Sequence, residues 1–251
     1  EFPKAILQQQ IKVYYQPQYN LNTGQLIGFE ALSRWRHDDL GNISPDLFVA
    51  IAEDIGLHFE FDLWVFERVC LQLVTWYKDD ILAPRIAINV SFKTMEMSSF
   101  TERIQSILLK TNCPTELLEF EVTETSSINN TKMLYANLLK VKELGITIAM
   151  DDFGSGFSSL SYLRSFQFEV VKVDKSLIQG IHQDSKANAL FNGLIAMLKS
   201  LQIDVVAEGV ELESYLPFME QADIQLMQGF YFDKPMPYDQ FLARHTTEPN
   251  R

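Results

Sequence analysis

The stretch VYYQPQYNLNTGQLIGFEALS (residues 13–33) decides which fold is expected for this chain. It contains two apolar runs, residues 13–19 and 25–33, separated by the five residues NLNTG. Two runs of strand length joined by a short glycine-containing loop are typical of an antiparallel β-hairpin. The chain is therefore expected to begin its sheet with two antiparallel strands.

After the hairpin, strand-like runs alternate with segments of helical periodicity. The further predicted strands cover residues 85–91, 117–124, 146–152, 169–175, 203–211 and 224–232. Such alternation favours a parallel sheet covered by helices, and at this length we predict an α/β fold, a (β/α)8 TIM-like barrel with an antiparallel first strand. The alternative is an open doubly wound sheet, which is disfavoured because no G-x-G-x-x-G follows the first strand. We predict that residues 1–251 form a single domain, excised from a longer multidomain protein.

Composition and charge exclude several classes of function. Lys and Arg number 21 against 33 Asp and Glu, which gives a net charge of −12 and argues against nonspecific DNA or RNA binding. Cys70 and Cys113 do not stand in a C-x-x-C spacing, so both are expected to be reduced thiols. No apolar run reaches membrane-spanning length, so we expect no direct membrane insertion of this domain.

Polar or charged residues stand near the same end of seven consecutive predicted strands. They are Glu30, Asn89, Glu121, Glu124, Asp151, Asp152, Lys172, Asp174, Glu208, Glu211 and Gln228. Each could separately be part of an ion pair, a cap or a solvated strand edge. Together they would converge at one mouth of a barrel, where the carboxylates would repel one another unless cations neutralised them.

The types of side chain in this set predict the class of cation. Carboxylate and amide oxygens are ligands that Mg²⁺ or Mn²⁺ prefers. The histidines, His37, His58, His182 and His245, lie away from the strand ends, which argues against a zinc site. In ITIAMDDFGSGFSSL (146–160), the adjacent Asp151 and Asp152 fit a site for two metals, and Gly154 and Gly156 would let the loop backbone approach a ligand. The alternative for this pair is a loop in which one Asp caps a helix.

Seven motifs occur in a fixed order from about Tyr14 to Pro237. They are EALSRWRH, INVS, EVTET, DDFGSGFSSLSYL, VKVDKSLI, VAEGVE and MQGFYFDKPMP. In these motifs the chain closely resembles the EAL-domain cyclic-di-GMP phosphodiesterases of bacteria. The resemblance implies a (β/α)8 barrel with an antiparallel first strand. It also implies two Mg²⁺ or Mn²⁺ ions and hydrolysis of cyclic-di-GMP to linear 5′-pGpG.

The resemblance also implies roles for individual residues. The implied metal ligands are Glu30, Asn89, Glu121, Asp151 and Asp152, with Asp151 as the bridge. Glu30, Lys172 and Glu208 are implied catalytic residues, Lys172 near the attacking water and Glu208 as a base or second-metal ligand. The positions that match dinucleotide contacts are Gln16, Leu32, Arg34, Asn89, Asp174, Glu211, Gln228, Gly229 and Pro235. Glu124 matches a residue that positions the DDFG loop.

Two functions remain open, an active phosphodiesterase and a catalytically inactive cyclic-di-GMP receptor. Degenerate relatives usually lose a metal ligand, whereas each position compared is retained here, so the enzyme is favoured. No G-G-D-E-F motif occurs in this stretch, so cyclase activity is not expected from it. The family further implies a cytoplasmic domain, fusion to a sensory or GGDEF-type domain, and a homodimer.

Overall fold

The computed structural model describes residues 2–78, 84–123, 130–155 and 159–245. The strands are β1 (Ile11–Asn20), β2 (Leu26–His37), β3 (Gly41–Ile43), β4 (Arg85–Asn89), β5 (Leu118–Thr123), β6 (Thr147–Phe153), β7 (Val170–Val173), β8 (Asp204–Ala207) and β9 (Leu226–Met227). The helices are α1 (Phe2–Leu7), α2 (Pro45–Asp54), α3 (His58–Lys78), α4 (Phe92–Met95), α5 (Phe100–Thr111), α6 (Thr131–Glu143), α7 (Ser159–Ser165), α8 (Lys175–Ile178), α9 (Ser185–Ser200), α10 (Leu216–Gln221) and α11 (Tyr238–His245). Two 3₁₀ turns, Thr115–Leu117 and Glu213–Tyr215, complete these elements.

Eight of the strands form a closed barrel in the order β1, β9, β8, β7, β6, β5, β4, β2 and back to β1. β1 is antiparallel to both of its neighbours, and the other barrel strands are parallel to one another. The predicted TIM-like barrel with an antiparallel first strand is therefore confirmed. The open-sheet alternative is wrong because β1 pairs with β2 on one side and β9 on the other.

One strand was not predicted from the sequence, and the last two predicted strands are much shorter in the structure. β3 pairs antiparallel with the end of β2, Trp35 opposite Ile43, and extends it beyond the barrel. A three-residue strand is too short to show a periodicity. β8 and β9 end at Ala207 and Met227, so the polar residues that follow them lie in loops at the barrel rim rather than in strands.

The interior of the barrel changes from apolar to charged along its axis. Ala149, Val170 and Val206 form a small buried cluster against Leu226. Two residues further along β6 and β7 come Asp151 and Lys172. Side chains two apart in a strand share a face, so each inward apolar residue is followed by an inward charged one. The two-residue repeat of the strands thus places the charged layer of the barrel interior next to the buried apolar layer.

The outer face of the sheet packs against the helices through aromatic side chains. Phe29 on β2 is fully buried, with ring centroids 4.8 Å from Phe241 and 5.7 Å from Trp76. Tyr15 of β1 and Tyr238 of α11 complete the cluster at 6.2 Å and 6.0 Å from Phe29. The C-terminal helix is therefore attached to the antiparallel hairpin by aromatic contacts.

We expect Phe29→Ala to lower the free energy of unfolding by about 3–5 kcal/mol, because it leaves a cavity between β2, α3 and α11. Urea unfolding followed by circular dichroism measures this change. The control is Leu190→Ala on α9, whose side chain is 73% exposed and whose loss should change stability by less than about 0.5 kcal/mol. Equal effects of the two substitutions would contradict this account of the core.

Candidate active site

The side chain of Lys172 lies in a ring of carboxylates at the carboxyl ends of the barrel strands. Lys172 is fully buried on β7. Its Nζ lies 2.6 Å from both Glu121 Oε1 and Glu208 Oε1. The same atom lies 3.3 Å from Glu30 Oε2 and 3.5 Å from Asp151 Oδ1. The structure therefore brings together five of the residues predicted from the sequence.

One ammonium group does not balance four carboxylates in this ring. Burial alone would lower the pKa of Lys172, but the carboxylates outweigh burial and hold that pKa well above its usual value. Burial, reinforced by repulsion from Glu30, raises the pKa of Glu121 well above its usual range. Burial likewise raises the pKa of Asp151 and of Glu208, against the lowering effect of Lys172. The site has an excess of negative charge that further cations would relieve.

Glu30 behaves differently from its neighbours because its carboxylate is hydrogen-bonded. Asn89 Nδ2 donates to Glu30 Oε1 at 2.8 Å, and Gln228 Nε2 donates to Glu30 Oε2 at 2.5 Å. Burial pushes the pKa of Glu30 upward, but the charge of Lys172 and these two hydrogen bonds outweigh it and leave the pKa lowered. Glu30 is therefore held ionised and in a fixed orientation.

The adjacent acids Asp151 and Asp152 both reach the barrel rim because the backbone leaves the regular strand conformation between them. Asp152 has a φ of 54°, in the left-handed region, and the pairing of β6 with β7 is irregular between Met150 and Phe153. A bulge of this kind redirects a side chain that would otherwise point to the opposite face. Gly154 has a φ of 96°, which favours glycine, and a Cβ there would also lie 2.1 Å from Cδ1 of Leu177 in α8.

Two groups of carboxylates among the described residues have oxygens close enough to hold a metal ion, and they share Asp151. The first is Glu30, Glu121 and Asp151; the second is Asp151, Asp152 and Glu208, with ligand atoms within 4.8 Å of one another in each group. Both oxygens of Glu121 are buried without a hydrogen-bond donor among the described residues, although Oε1 is ion-paired with Lys172. An all-oxygen set with unsatisfied carboxylate atoms fits a hard divalent cation.

A cleft of about 580 Å³ opens above this cluster, between α2, α3 and the barrel rim. Its volume lies within the range of ligand sites, roughly 300–1,000 Å³. Seven carboxylates line it: Glu30, Asp46, Glu53, Asp62, Glu121, Asp151 and Asp152. Arg34 is the one cationic side chain among its lining residues in the described part of the chain. An anionic ligand would therefore need bound cations in addition to Arg34.

A family model described as the EAL domain matches residues 1–235. The chain belongs to the EAL domain family. The cyclic di-GMP phosphodiesterase NbdA of Pseudomonas aeruginosa is 34% identical over 237 residues, which are 94% of this chain and 30% of NbdA. An uncharacterized signaling protein of Caulobacter vibrioides is 37% identical over 94% of this chain and 29% of its own length.

The fold of this EAL domain also matches solved structures. A structure entitled PaMucR phosphodiesterase, c-di-GMP complex, superposes with a TM-score of 0.88 at 31% identity, covering 96% of this chain and 97% of that one. The curated MucR of Pseudomonas aeruginosa, named a bifunctional diguanylate cyclase/cyclic di-GMP phosphodiesterase, is 32% identical over 96% of this chain and 35% of MucR. The chain thus spans about a third of the length of the curated relatives it matches.

The predicted dinucleotide contacts of the EAL domain occupy different environments. Leu32, Arg34 and Asn89 line the cleft. Gln16 and Gln228 are buried inside the barrel and hydrogen-bond to each other. The others lie in loops that follow β7, β8 and β9: Asp174, Glu211, Gly229 and Pro235. The loop-positioning prediction for Glu124 and the loop residue Gly156 lie outside the described residues.

Two of these loop residues have a clear structural role in the EAL domain. Asp174 caps α8 by accepting a hydrogen bond from the backbone N–H of Ser176 at 2.9 Å. A Cβ on Gly229 would lie 2.2 Å from the carbonyl oxygen of Val210, so glycine lets the loops after β8 and β9 approach closely. Their predicted contacts with the dinucleotide stay predictions.

Asp62 of α3 lines the cleft and was not singled out from the sequence. Its Oδ2 accepts hydrogen bonds from the backbone N–H and the hydroxyl of Ser91, and burial raises its pKa to about 6. The sequence signal that could have pointed to Asp62 is a carboxylate among the apolar residues FEFDLW (59–64), near the start of a predicted helix.

Among the described residues, no helix has both the length and the apolar character needed to span a membrane.

We expect Asp152→Asn to stabilise the metal-free EAL domain at pH 8. Burial, with repulsion from Asp151 and Asp174, raises the pKa of Asp152 from 3.8 to about 6. In the unfolded chain Asp152 ionises near its ordinary pKa of 3.8, whereas in the folded chain it ionises only near 6. The free energy of unfolding therefore falls as pH rises from about 4 through 6, by about 1 kcal/mol once solvent screening is counted. Asparagine is also compatible with the left-handed backbone at this position.

Thermal unfolding in chelator between pH 5 and 8 measures this effect. The melting temperature of Asp152→Asn should exceed that of the parent chain at pH 8, and the difference should shrink as pH falls through 6. A difference that is independent of pH would show that the ionisation of Asp152 is not its cause.

Proposed function

We propose that this EAL domain is a metal-dependent phosphodiesterase that hydrolyses cyclic-di-GMP to linear 5′-pGpG. The observation that carries the proposal is that two sets of metal-binding carboxylates share Asp151, which lines the cleft. The names of NbdA and of MucR, both cyclic di-GMP phosphodiesterases, support the choice of substrate.

The residues that would hold two Mg²⁺ or Mn²⁺ ions follow from the two oxygen groups. Glu30, Glu121 and Asp151 would hold one ion, together with the amide oxygen of Asn89, whose nitrogen is engaged with Glu30. Asp151, Asp152 and Glu208 would hold the other. Bound divalent cations supply positive charge to the phosphate and lower the pKa of water.

The remaining residues of the cleft would bind and orient the dinucleotide. Arg34 Nη1 donates to the carbonyl oxygen of Ser33 at 2.9 Å, which leaves other N–H groups of the guanidinium to face a phosphate. Leu32 supplies apolar surface beside it. A guanidinium near one phosphate would position the other phosphodiester group over the carboxylate floor.

Lys172 and Glu208 would act on the attacking water and the phosphate. In its alternative role as the base, in place of second-metal ligand, the Glu208 carboxylate would accept a proton from the water as the water oxygen attacks phosphorus. The bond from phosphorus to the 3′-oxygen breaks, and the phosphate stays on the 5′-oxygen. The 3′-oxygen takes up a proton and becomes the 3′-hydroxyl of the linear product. Lys172, charged because of its carboxylate neighbours, would stabilise the negative charge that develops beside the nucleophile.

The proposal includes a cellular context. This EAL domain spans about a third of the length of its curated relatives, and one of these is named a bifunctional cyclase and phosphodiesterase. We propose a cytoplasmic domain that lowers the cyclic-di-GMP level and is joined to a sensory or GGDEF-type domain.

We expect purified chain to convert cyclic-di-GMP to 5′-pGpG with Mg²⁺ or Mn²⁺, and chelator to stop the reaction, because hard-oxygen ligands select these ions. Chromatography of the products with time is the measurement. Calorimetric binding of cyclic-di-GMP without turnover under these conditions would favour the receptor alternative. Full turnover in excess chelator would refute the metal dependence.

We expect Lys172→Met to lower kcat by about 10²-fold or more while changing KM less, because it removes a charge beside the nucleophile but no metal ligand. The metal-free variant should also melt earlier, since its carboxylates lose their buried counter-charge. Added Mn²⁺ should restore the melting temperature but not kcat.

The matched control is Lys142→Met. Lys142 Nζ pairs with Glu169 at 2.5 Å near the start of β7, at the opposite end of the barrel from the cleft. This variant should keep normal turnover. If Lys172→Met also kept it, the assignment of Lys172 to the reaction would be wrong.

A further inference from the structure

Three glutamine side chains form a hydrogen-bonded network that extends from Glu30 toward the other end of the barrel. Gln228 Nε2 donates to Glu30 Oε2 at 2.5 Å and to Gln16 Oε1 at 3.2 Å. Gln18 Nε2 donates to Gln228 Oε1 at 2.9 Å. Gln16 and Gln18 alternate with Pro17 on β1, so both point toward the same side of that strand.

The direction of each hydrogen bond is fixed by chemistry. An ionised carboxylate only accepts, so the amide nitrogen of Gln228 must face Glu30 and its oxygen must face away. Gln16 Nε2 donates to the backbone carbonyl oxygen of Asp233 at 3.1 Å, which leaves Gln16 Oε1 as the acceptor for Gln228. The oxygen of Gln228 therefore needs a donor on its remaining side, and Gln18 supplies it.

The backbone beside Gln18 provides the room for this arrangement. Gly28 on β2 lies opposite Gln18 in the pairing with β1. A Cβ on Gly28 would lie 2.9 Å from Gln18 Oε1 and 3.0 Å from the carbonyl oxygen of Arg85. The absence of a side chain at position 28 therefore lets the Gln18 amide reach inward to Gln228.

We propose that Gln18 is a positioning residue for the metal site: by donating to Gln228, it holds the Gln228 amide with its nitrogen on Glu30. The inference rests on the metal-holding role of Glu30 in the proposed function. Without this donor, rotating the Gln228 amide by half a turn would place Oε1 against Glu30 Oε2. Gln228 is only 4% exposed, so water has little access to replace the lost donor.

Three substitutions at Gln18 distinguish the effect of losing the hydrogen-bond donor from the effect of changing the size of the side chain. Gln18→Glu has nearly the same shape, but its carboxylate only accepts and would attract the nitrogen of Gln228 away from Glu30. Gln18→Leu removes all hydrogen bonding at similar size. Gln18→Lys keeps a donor, and its extra length fits because Gln18 also lines a cavity of about 450 Å³ at the amino ends of the parallel strands.

The readout is Mn²⁺ titration of the nucleotide-free chain by calorimetry, fitted to two sites, with melting temperatures in chelator to verify folding. We expect Gln18→Glu to weaken binding at one site by about tenfold or more, and Gln18→Leu to weaken the same site less. Gln18→Lys should restore parent-like affinity. The second site does not use Glu30 but shares Asp151 with the first, so its affinity should fall less than that of the first site.

Equal Mn²⁺ binding by the parent chain, Gln18→Glu and Gln18→Leu would overturn the inference and leave the proposed function standing. Equal weakening of both sites would also overturn it, because a general structural effect does not select the Glu30 site. If Gln18→Glu does not fold, Gln18→Leu and Gln18→Lys decide, and equal affinities in these two overturn the inference. If the parent chain binds two Mn²⁺ ions but does not hydrolyse cyclic-di-GMP, the proposed function is refuted and the inference about Gln18 still stands.

Discussion

The charge of Lys172, buried among four carboxylates, constrains the rest of the barrel. An ammonium group without water is expensive unless anions surround it closely, and two of its partners lie at 2.6 Å. These partners come from β2, β5, β6 and the loop after β8, so all of these segments must keep their register. A slip of one residue in β7 would turn Lys172 outward into the helix layer and bring Val171 or Val173 into the charged ring.

The surplus of carboxylates that weakens the metal-free domain is what suits it to bind cations. Raised pKa values at Glu121, Asp151 and Glu208 show that the ring holds more negative charge than Lys172 offsets. The left-handed backbone at Asp152 adds local strain and, in return, places a second acid at the rim. These features lower the stability of the metal-free barrel at this end and leave a site that divalent ions would complete.

Glu30 differs from the other acids of this ring because two side-chain amides donate to its carboxylate, in addition to the charge of Lys172. Lys172 and the two hydrogen bonds from Asn89 and Gln228 together hold Glu30 ionised. Apart from its ion pair with Lys172, Glu121 has no hydrogen-bond donor among the described residues. The glutamines of β1 extend this support toward the far end of the barrel. The antiparallel strand thus contributes to the site as well as closing the sheet, since Gln16 and Gln18 of β1 both hydrogen-bond to Gln228.

The sequence by itself determined the barrel, its antiparallel first strand and the set of acids at the strand ends, because strand periodicity and motif order are local properties of the chain. It did not predict β3, whose three residues carry no periodic signal, or the place of Asp62, because an acid in an apolar helix has many uses. Only the tertiary structure decided that Lys172 is the centre of the ring and that Gln16 and Gln228 are buried. It also decided that both acids of the DDFG motif reach one rim. These features depend on distances between strands far apart in sequence and on one left-handed residue, and no local pattern of side chains encodes them.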